Sequence, residues 1–180
     1  MHLKGSDLYR RKDGKPYNRE KFHQAPQEYV CKFDTYAHHT DVLMNGVYWD
    51  HALPRLFEKD AITNKDFRIQ VISDVTDDAY GSIPINLGDQ SIENPVYGVD
   101  KTTFQKTAPY LQSSVDVIAV GNLPNELPRD ASRYFGQQLI KFILPDLLKG
   151  GSTIIENATI VKNGKLTPTY DYLSDYAAGK

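Results

Sequence analysis

Three aspartates in the middle of the chain carry the clearest chemistry in the sequence. The apolar stretch FRIQVISDVT at 67–76 is rich in β-forming residues, and Asp74, Asp77 and Asp78 lie at its carboxyl end. A carboxylate at the end of a buried strand can act as a general acid or base, or can orient a substrate ammonium group. Aspartate also caps turns through its own local hydrogen bonds, so a purely structural role is the competing interpretation.

Two asparagines hold similar places after other apolar runs. Asn122 ends the run VDVIAVGN, and Pro124 and Pro128 behind it would hold its amide toward a ligand amide or hydroxyl. A stiff connection from strand to helix explains the same residues equally well. Asn45 and Gly46 interrupt the run DVLMNGVYW, where a glycine lets a flat ring or a ribose approach the backbone closely.

Histidine and cysteine offer no comparable site. His38 and His39 are adjacent, so they cannot both face one ion from a helix or strand, and no HExxH or Cys/His pair spacing occurs. We therefore expect no metal. Cys31 has no local basic cluster to make it a thiolate, so we predict a structural role. A single free cysteine and a charged start without an apolar leader favour a cytoplasmic protein.

The composition argues against two classes of partner. The 180 residues carry a net charge of −2 with both signs interspersed, which gives no basic face for nucleic acid or an anionic membrane. The longest apolar patch, LIKFILPDLL, is too short to span a bilayer. With 40% hydrophobic residues, the chain has enough apolar material for the core of one domain.

Three apolar runs must position the candidate residues: 41–49, 67–76 and 115–122. Such nearly continuous runs are typical of strands buried on both faces, which favours an α/β fold with a parallel sheet covered by helices. The segment between the last two runs is rich in Gly, Pro, Asn and Asp and shows little regular pattern. A long irregular segment in a compact domain is usually functional.

Local signals mark the remaining elements. Asp-Gly at 13–14 and Asn-Gly at 163–164 each predict a tight hairpin turn. The segment 130–149 places its apolar residues on one helical face, with Asp130 as N-cap and Gly150 at the end.

Four stretches, taken together and in order, carry a family resemblance. They are KPYNREKFHQAPQEYVCKF, DVLMNGVYWDHALPR, ISDVTDDAYGSI and GNLPNELPRDASRYFG. The chain resembles the C-terminal portion of the saccharopine dehydrogenase and lysine–ketoglutarate reductase family, which is related to alanine dehydrogenase. NATIVKNGKLTPTYDYL is similar to the tail of the reductases. The combination of MNGVYWD…PR with NLPxxLPxxA is specific, whereas the aspartate cluster alone is not.

The resemblance implies the later half of a Rossmann-like parallel sheet with flanking helices. Residues 1–40 would form a hairpin and helical lead-in, and 41–149 the back half of the dinucleotide-binding domain. Residues 150–180 would be a C-terminal hairpin and helix returning to the substrate domain, to which the N-terminal segment also belongs. Neither GxGxxG nor GxxxxGK[ST] occurs, so the turn that cradles the cofactor phosphates has no counterpart here. We therefore expect negligible turnover from these 180 residues alone.

The resemblance also implies roles for single residues. Asp78 matches the cleft aspartate that alanine dehydrogenases use in catalysis. Asp77, Gly81 and Ser82 would shape the loop that faces the substrate. The residues implied to bind the cofactor, NAD or NADP, follow two of the strands: Asn45, Gly46, Asn122 and Leu123.

One residue departs from the family pattern. Immediately before the Asn of the NLP motif the family has an acidic residue, an active-site group in saccharopine dehydrogenases, and this chain has Gly121. The departure puts the substrate and the reaction in question. Asp77, where the family has an apolar or small residue, is a candidate for supplying the missing charge.

The implied function is that of an NAD(P)-dependent amino-acid oxidoreductase. It would transfer hydride to or from an amine-bearing carbon through an imine, with an amino acid or 2-oxo acid as substrate, in a homo-oligomer. Two alternatives stay open. One is an alanine dehydrogenase-like enzyme. The other is a non-catalytic binding or dimerisation module, which the missing Gly-rich turn and Gly121 favour. An incomplete sheet would expose an edge and apolar surface, so we expect self-association.

Overall fold

The computed structural model describes residues 1–180, which divide into two compact units, Met1–Leu123 and Pro124–Lys180. The helices of the first unit are α1 (Gly5–Leu8), α2 (Arg19–Gln24) and α3 (Asp34–Ala37), with 3₁₀ turns at Pro26–Glu28, Lys59–Thr63 and Leu123–Asn125, the last of which crosses the boundary between the units. Its strands are β1 (Tyr9–Arg11), β2 (Tyr29–Cys31), β3 (Val42–Asn45), β4 (Val71–Asp74), β5 (Val96–Asp100), β6 (Lys106–Thr107) and β7 (Ser114–Ile118).

The second unit is mostly helical. Its helices are α4 (Pro128–Gln138), α5 (Leu144–Lys149), α6 (Thr153–Ala158) and α7 (Ser174–Ala177), with a π-helical turn at Leu139–Ile143 and a 3₁₀ helix at Pro168–Leu173. Its strands are β8 (Val161–Lys162) and β9 (Lys165–Leu166). None of the helices in either unit combines the length and the apolar character needed to cross a bilayer.

A five-stranded sheet in the order β3-β4-β7-β5-β6 organises the first unit. The strands predicted from the three apolar runs are β3, β4 and β7, and they lie side by side and parallel. The predicted α/β class and the parallel arrangement of these strands are therefore confirmed. Parallel strands end at one edge of a sheet, and here Asn45 at the end of β3 pairs in register with Asp74 at the end of β4.

The sheet is mixed, which the sequence analysis did not predict. Strand β5 pairs antiparallel with both β7 and β6, so the segment expected to have little regular structure supplies two strands. Tyr97 and Val99 of β5 point into the core, and Gly98 lies between them. A Cβ on Gly98 would lie 2.5 Å from the carbonyl oxygen of Ala108, so the backbone at Ala108 packs directly on this strand.

The core of the first unit lies on one face of the sheet. Ile72, Val115, Val117 and Val99 have no exposed surface. Aromatic residues from the N-terminal segment join the same cluster: Tyr9, Phe22, Tyr29 and Phe33. Burial of a large apolar side chain stabilises a fold by about 1.5–3 kcal/mol, so these residues bind the N-terminal segment firmly to the sheet.

The prediction of a hairpin across Asp13 and Gly14 is wrong, because the strand before the turn does not pair with the residues directly after it. A turn forms there, with Gly14 at φ 75°, but β1 pairs with the distant β2, with Tyr9 opposite Cys31. Helix α2 lies between the two strands in the chain, and Asn18 caps it by accepting a hydrogen bond from the Lys21 amide at 2.8 Å. The assignment of this segment to a substrate domain stays a prediction.

One long helical segment opens the second unit. It begins with Pro128 after Leu127, so Asp130 lies in the first turn and the N-cap prediction for it is wrong. Proline is favoured at the first helical position because its missing N–H would have no partner there. The π-helical turn at Leu139–Ile143 precedes Pro145, which cannot donate to the helical ladder. Gly150, at φ 72°, ends the helix as predicted.

The Asn-Gly hairpin at the C-terminal end is confirmed. Strands β8 and β9 pair antiparallel, and Asn163 and Gly164 between them adopt φ of 54° and 76°. This is the turn conformation that asparagine followed by glycine favours. The predicted apolar face of the long helix is present but uncovered, since Phe135 is 65% exposed and Leu147 is 59% exposed.

Candidate functional site

A buried polar network begins where β3 and β4 end. The amide nitrogen of Asn45 donates to Asp74 Oδ1 and to Ser82 Oγ, both at 2.8 Å, and all three residues are buried. Both hydrogens of this amide are therefore engaged within the protein. Its oxygen accepts from the Val47 amide at 3.4 Å, which holds the loop after β3. Asn45 is thus placed to position that loop.

Asn86 connects this network to the loop after β4. It has no exposed surface, and its amide nitrogen donates to Asp74 Oδ2 at 2.9 Å and to Asp77 Oδ1 at 3.4 Å. Its oxygen accepts from the Gly88 amide at 2.8 Å and from the Tyr97 hydroxyl at 3.2 Å. One side chain therefore satisfies four polar partners, as a buried amide must to offset its desolvation.

Asp77 is the most perturbed carboxyl group of the site. Its pKa is raised to about 6, chiefly by burial, and also by a hydrogen bond and charge repulsion from Asp89 and by the charge of Asp74, while Asn86 lowers it. Its backbone lies in the left-handed region at φ 56°, which aspartate tolerates better than most residues. Asp77 is therefore protonated over a wider pH range than a free aspartate, as an acid that donates a proton near neutral pH must be.

Asp78 and Gly81 lie on a turn that Arg55 holds in place. Asp78 is exposed, and its carbonyl oxygen accepts from the Gly81 amide at 2.8 Å. A Cβ on Gly81 would lie 2.5 Å from Asp78 Cβ, so this turn requires glycine. Arg55 donates through Nε to the Gly81 carbonyl and through Nη2 to the Tyr80 carbonyl, each at 3.1 Å. The carboxylate of Asp78 thus stands in solvent on a fixed turn.

The remaining predicted cofactor contacts stand outside the buried network. Asn122 and Leu123 follow β7 and are exposed, and Asn122 adopts a left-handed φ of 52°. Gly46 is exposed, with nothing within 4 Å of the place a Cβ would take. The structure therefore joins Asn45, Ser82 and Asp77 in one set of contacts, holds Asp78 and Gly81 on the turn beside it, and leaves Gly46, Asn122 and Leu123 exposed at the strand ends.

The aromatic residue after β3 closes the core beneath the site. Trp49 is buried, and its Nε1 hydrogen has no partner. The Arg55 guanidinium lies 6.0 Å from the centre of its ring, and His51 meets it edge-on at 5.1 Å. Trp49 therefore supports the arginine that holds the turn at Gly81.

No three His, Cys, Asp or Glu residues stand close enough together to hold a metal ion. His38 Nδ1 is within 2.9 Å of the Asp66 carbonyl oxygen, a backbone contact. Burial raises the pKa of the Cys31 thiol to about 11, so it is a protonated thiol at neutral pH. That is the state expected for the structural role predicted for Cys31.

One surface cavity lies away from the carboxyl ends of the parallel strands. It has a volume of about 390 Å³ and is lined by residues of the Lys59–Thr63 turn, of the segment that follows it and of the β5–β6 connection, among them Ile62, Phe67, Lys101 and Phe104. None of the predicted site residues lines it. The polar network is the better candidate for chemistry, because buried polar side chains and a carboxyl group with a raised pKa converge there.

Three residues of the network were not predicted from the sequence: Asn86, Asp89 and Tyr97. A signal for the first was present, because Asn86 stands between Ile85 and Leu87 in an apolar stretch. A polar residue flanked in this way is often buried and hydrogen-bonded. Asp89 carries no such signal, because it is exposed and meets Asp77 only through the folded loop.

The parallel strands and the polar residues at their ends define an α/β protein with a partial Rossmann-like sheet. The chain is 27% identical to the mitochondrial alpha-aminoadipic semialdehyde synthase of Mus musculus, over 92% of its own length and 21% of that protein. It is 26% identical to the alpha-aminoadipic semialdehyde synthase of Arabidopsis thaliana, over 95% of its length and 17% of that protein.

A shorter match links the chain to a second kind of relative. It is 27% identical to saccharopine dehydrogenase [NAD(+), L-lysine-forming] of Neurospora crassa, over 58% of its length and 27% of that protein. No protein-family model matches the sequence. The chain spans about a fifth of the length of its longer relatives. These homologues support the resemblance to the saccharopine dehydrogenase and lysine–ketoglutarate reductase family, which is a family of oxidoreductases.

Proposed function

We propose that this chain is part of an NAD(P)-dependent amino-acid oxidoreductase that transfers hydride to or from an amine-bearing carbon through an imine. The observation that carries the proposal is the meeting of three parallel strand ends bearing Asn45, the Asp74–Asp78 segment and Asn122 at one edge of the sheet. Ligands of open α/β sheets bind beyond this edge. The names of the relatives favour saccharopine or lysine among the amino-acid substrates.

The residues at the strand ends suit contact with the nicotinamide end of a dinucleotide. They do not form a binding site for its phosphates. Gly46 offers open backbone, and Asn122 and Leu123 are exposed beside the end of β7. Asn45 acts by holding the loop that contains Gly46, since its amide nitrogen is already bonded and its oxygen accepts from the Val47 amide. When bound, the nicotinamide supplies the hydride donor or acceptor. The chain lacks a Gly-rich turn for the phosphates, so tight binding requires further protein.

In this proposal two aspartates, Asp78 and Asp77, have different roles in proton transfer. Asp78 is exposed on a fixed turn, where its carboxylate can take a proton from the substrate amine or hold the amine as an ammonium ion. Asp77, whose pKa is raised to about 6, exchanges a proton closer to neutral pH than a free aspartate does. Asn86 orients Asp77 by donating to its carboxylate.

Cofactor titration and turnover assays test the proposal. We expect a longer natural polypeptide containing this chain to quench the fluorescence of NADH or NADPH and to reduce a 2-oxo acid in the presence of an amine. Asp78→Asn should lower kcat at least tenfold, whereas the exposed control Asp66→Asn should not change it. The 180 residues alone should show negligible turnover. A longer polypeptide that binds neither nucleotide would refute the proposal.

One observation favours a non-catalytic module as a second candidate. The amide nitrogen of Asn45, a predicted cofactor contact, is fully engaged by Asp74 and Ser82. A binding module would show ligand-independent association and no nucleotide binding in the same titration.

The cytoplasmic location stays a prediction, and the mouse relative is named as mitochondrial.

A further inference from the structure

We propose that residues 77–90, here called the strap, close over the end of β7 when Asp77 and Asp89 share a proton, and loosen when both carboxyls are ionised. The strap contains the turn of Asp78 and the buried Asn86, so its closure fixes the edge of the sheet where the candidate site lies. This device is a property of the fold and holds whichever reaction the site performs.

Backbone contacts show that the strap is closed in the structure. The Gln90 amide donates to the Ala119 carbonyl at 2.7 Å, and Gln90 forms an isolated parallel bridge with Val120. Within the strap, the Tyr80 amide donates to the Asn86 carbonyl at 2.8 Å. The strap is thus folded back on itself between Tyr80 and Asn86, and its Gln90 end is set against the segment that leads to Gly121.

Gly121 reveals how closely the two carboxyls converge. A Cβ on Gly121 would lie 2.6 Å from Asp89 Oδ2 and 3.2 Å from Asp77 Oδ2. The φ of Gly121 lies outside the left-handed region, so its backbone conformation does not require glycine. A side chain at this position would have to displace the Asp89 carboxylate, which is the nearer of the two. The two carboxyls therefore meet beside Gly121 and join the two ends of the strap next to the end of β7.

No cation neutralises this pair. Neither carboxyl takes part in a salt bridge. On β4, Asp74 adds a further negative charge, and Asp78 and the Tyr80 phenol belong to the strap itself.

The basic groups on neighbouring elements are engaged elsewhere. Lys106 of β6 donates to Gln90 Oε1 at 2.7 Å and lies over the ring of Tyr97 on β5. Arg55 is bonded to the carbonyls of Gly81 and Tyr80. Two ionised carboxyls would repel each other here with only the long hydrogen bond from Asn86 to offset the repulsion, whereas a shared proton joins them by a hydrogen bond.

The direction of the pH dependence follows from the pKa of Asp77, which is about 6 in the closed strap. In an open strap the carboxyl would return to the value of a free aspartate, near 4. Below pH 4 both forms are protonated and the strap is at its most stable. Stability is lost as the pH rises toward 6, since the open form ionises first, and it is constant at higher pH.

Amide hydrogen exchange of the 180-residue chain, corrected for intrinsic exchange rates, tests the strap. We expect the protection of the Gln90 amide to fall about tenfold between pH 4.5 and pH 7.5, which discounts a two-unit pKa shift for partial solvent exposure. Asp77→Asn should abolish this change, because asparagine mimics the protonated acid and tolerates the same left-handed backbone. Asp66→Asn, an exposed control, should retain it.

Two further variants keep the test decisive if Asp77→Asn does not fold. Asp89→Asn, at an exposed position, should also flatten the pH profile. Gly121→Ala should push the Asp89 carboxylate aside, and the fall in protection should then occur at lower pH. Constant protection in the wild type, or an unchanged profile in Asp89→Asn, would overturn the proposal. The assay contains no nucleotide, so its failure would leave the oxidoreductase proposal standing.

Discussion

Replacing Asn86 by alanine should destabilise the first unit more than any other change in its polar network. The substitution removes a hydrogen bond to the buried Asp74 carboxylate, worth about 1.5–3 kcal/mol, and the acceptor for the Gly88 amide and the Tyr97 hydroxyl. Some of the loss is regained if water enters the space. We expect a fall of roughly 3–5 kcal/mol in the free energy of unfolding.

Urea unfolding followed by tryptophan fluorescence measures this loss, because Trp49 is the single tryptophan and is buried in the first unit. With a urea slope of about 2 kcal/mol per molar, the midpoint should fall by roughly 2 M. Asn94→Ala is the matched control, since that side chain is exposed and should change stability by less than about 0.5 kcal/mol. Equal midpoints for the two variants would refute the view that Asn86 holds the network together.

Three further outcomes follow from the packing. Native Cys31 should resist iodoacetamide at pH 8, and the free energy of unfolding should fall as the pH rises from about 9 to about 11, because the folded chain retains a thiol proton that the unfolded chain releases. Gly98→Ala should cost about 2 kcal/mol or more in thermal unfolding, whereas Gly46→Ala, with open space around it, should be neutral or slightly stabilising. Light scattering should show self-association that a double change of Phe135 and Leu139 to glutamate removes, since both side chains are exposed on the long helix.

Strands and helix ends could be predicted where the local residue pattern matched the burial or the backbone conformation of the folded segment. The apolar runs that became β3, β4 and β7 are buried on at least one face, so hydrophobicity alone located them. Gly150 and the Asn-Gly hairpin were predictable because their left-handed backbone is a local requirement.

The failures have equally physical causes. Strand β5 was missed because its glycine lowers the local β signal, although that glycine is required by the close approach of Ala108. The partner of β1 was missed because strand pairing depends on distant residues, which the Asp-Gly turn does not encode. The pairing of Asp77 with Asp89 was inaccessible for the same reason, since only the folded strap brings them together.

The mixed topology of the sheet predicts which strand contacts form first during folding. Strands β5, β6 and β7 follow one another along the chain, so their antiparallel contacts close short loops. The parallel contact of β3 with β4 closes a longer loop and costs about 1 kcal/mol more in chain entropy. We infer that this three-stranded antiparallel unit, with β5 at its centre, is the folding nucleus and that β3 docks late, which pulse-labelling during refolding would show as early amide protection at Val99 and late protection at Leu43.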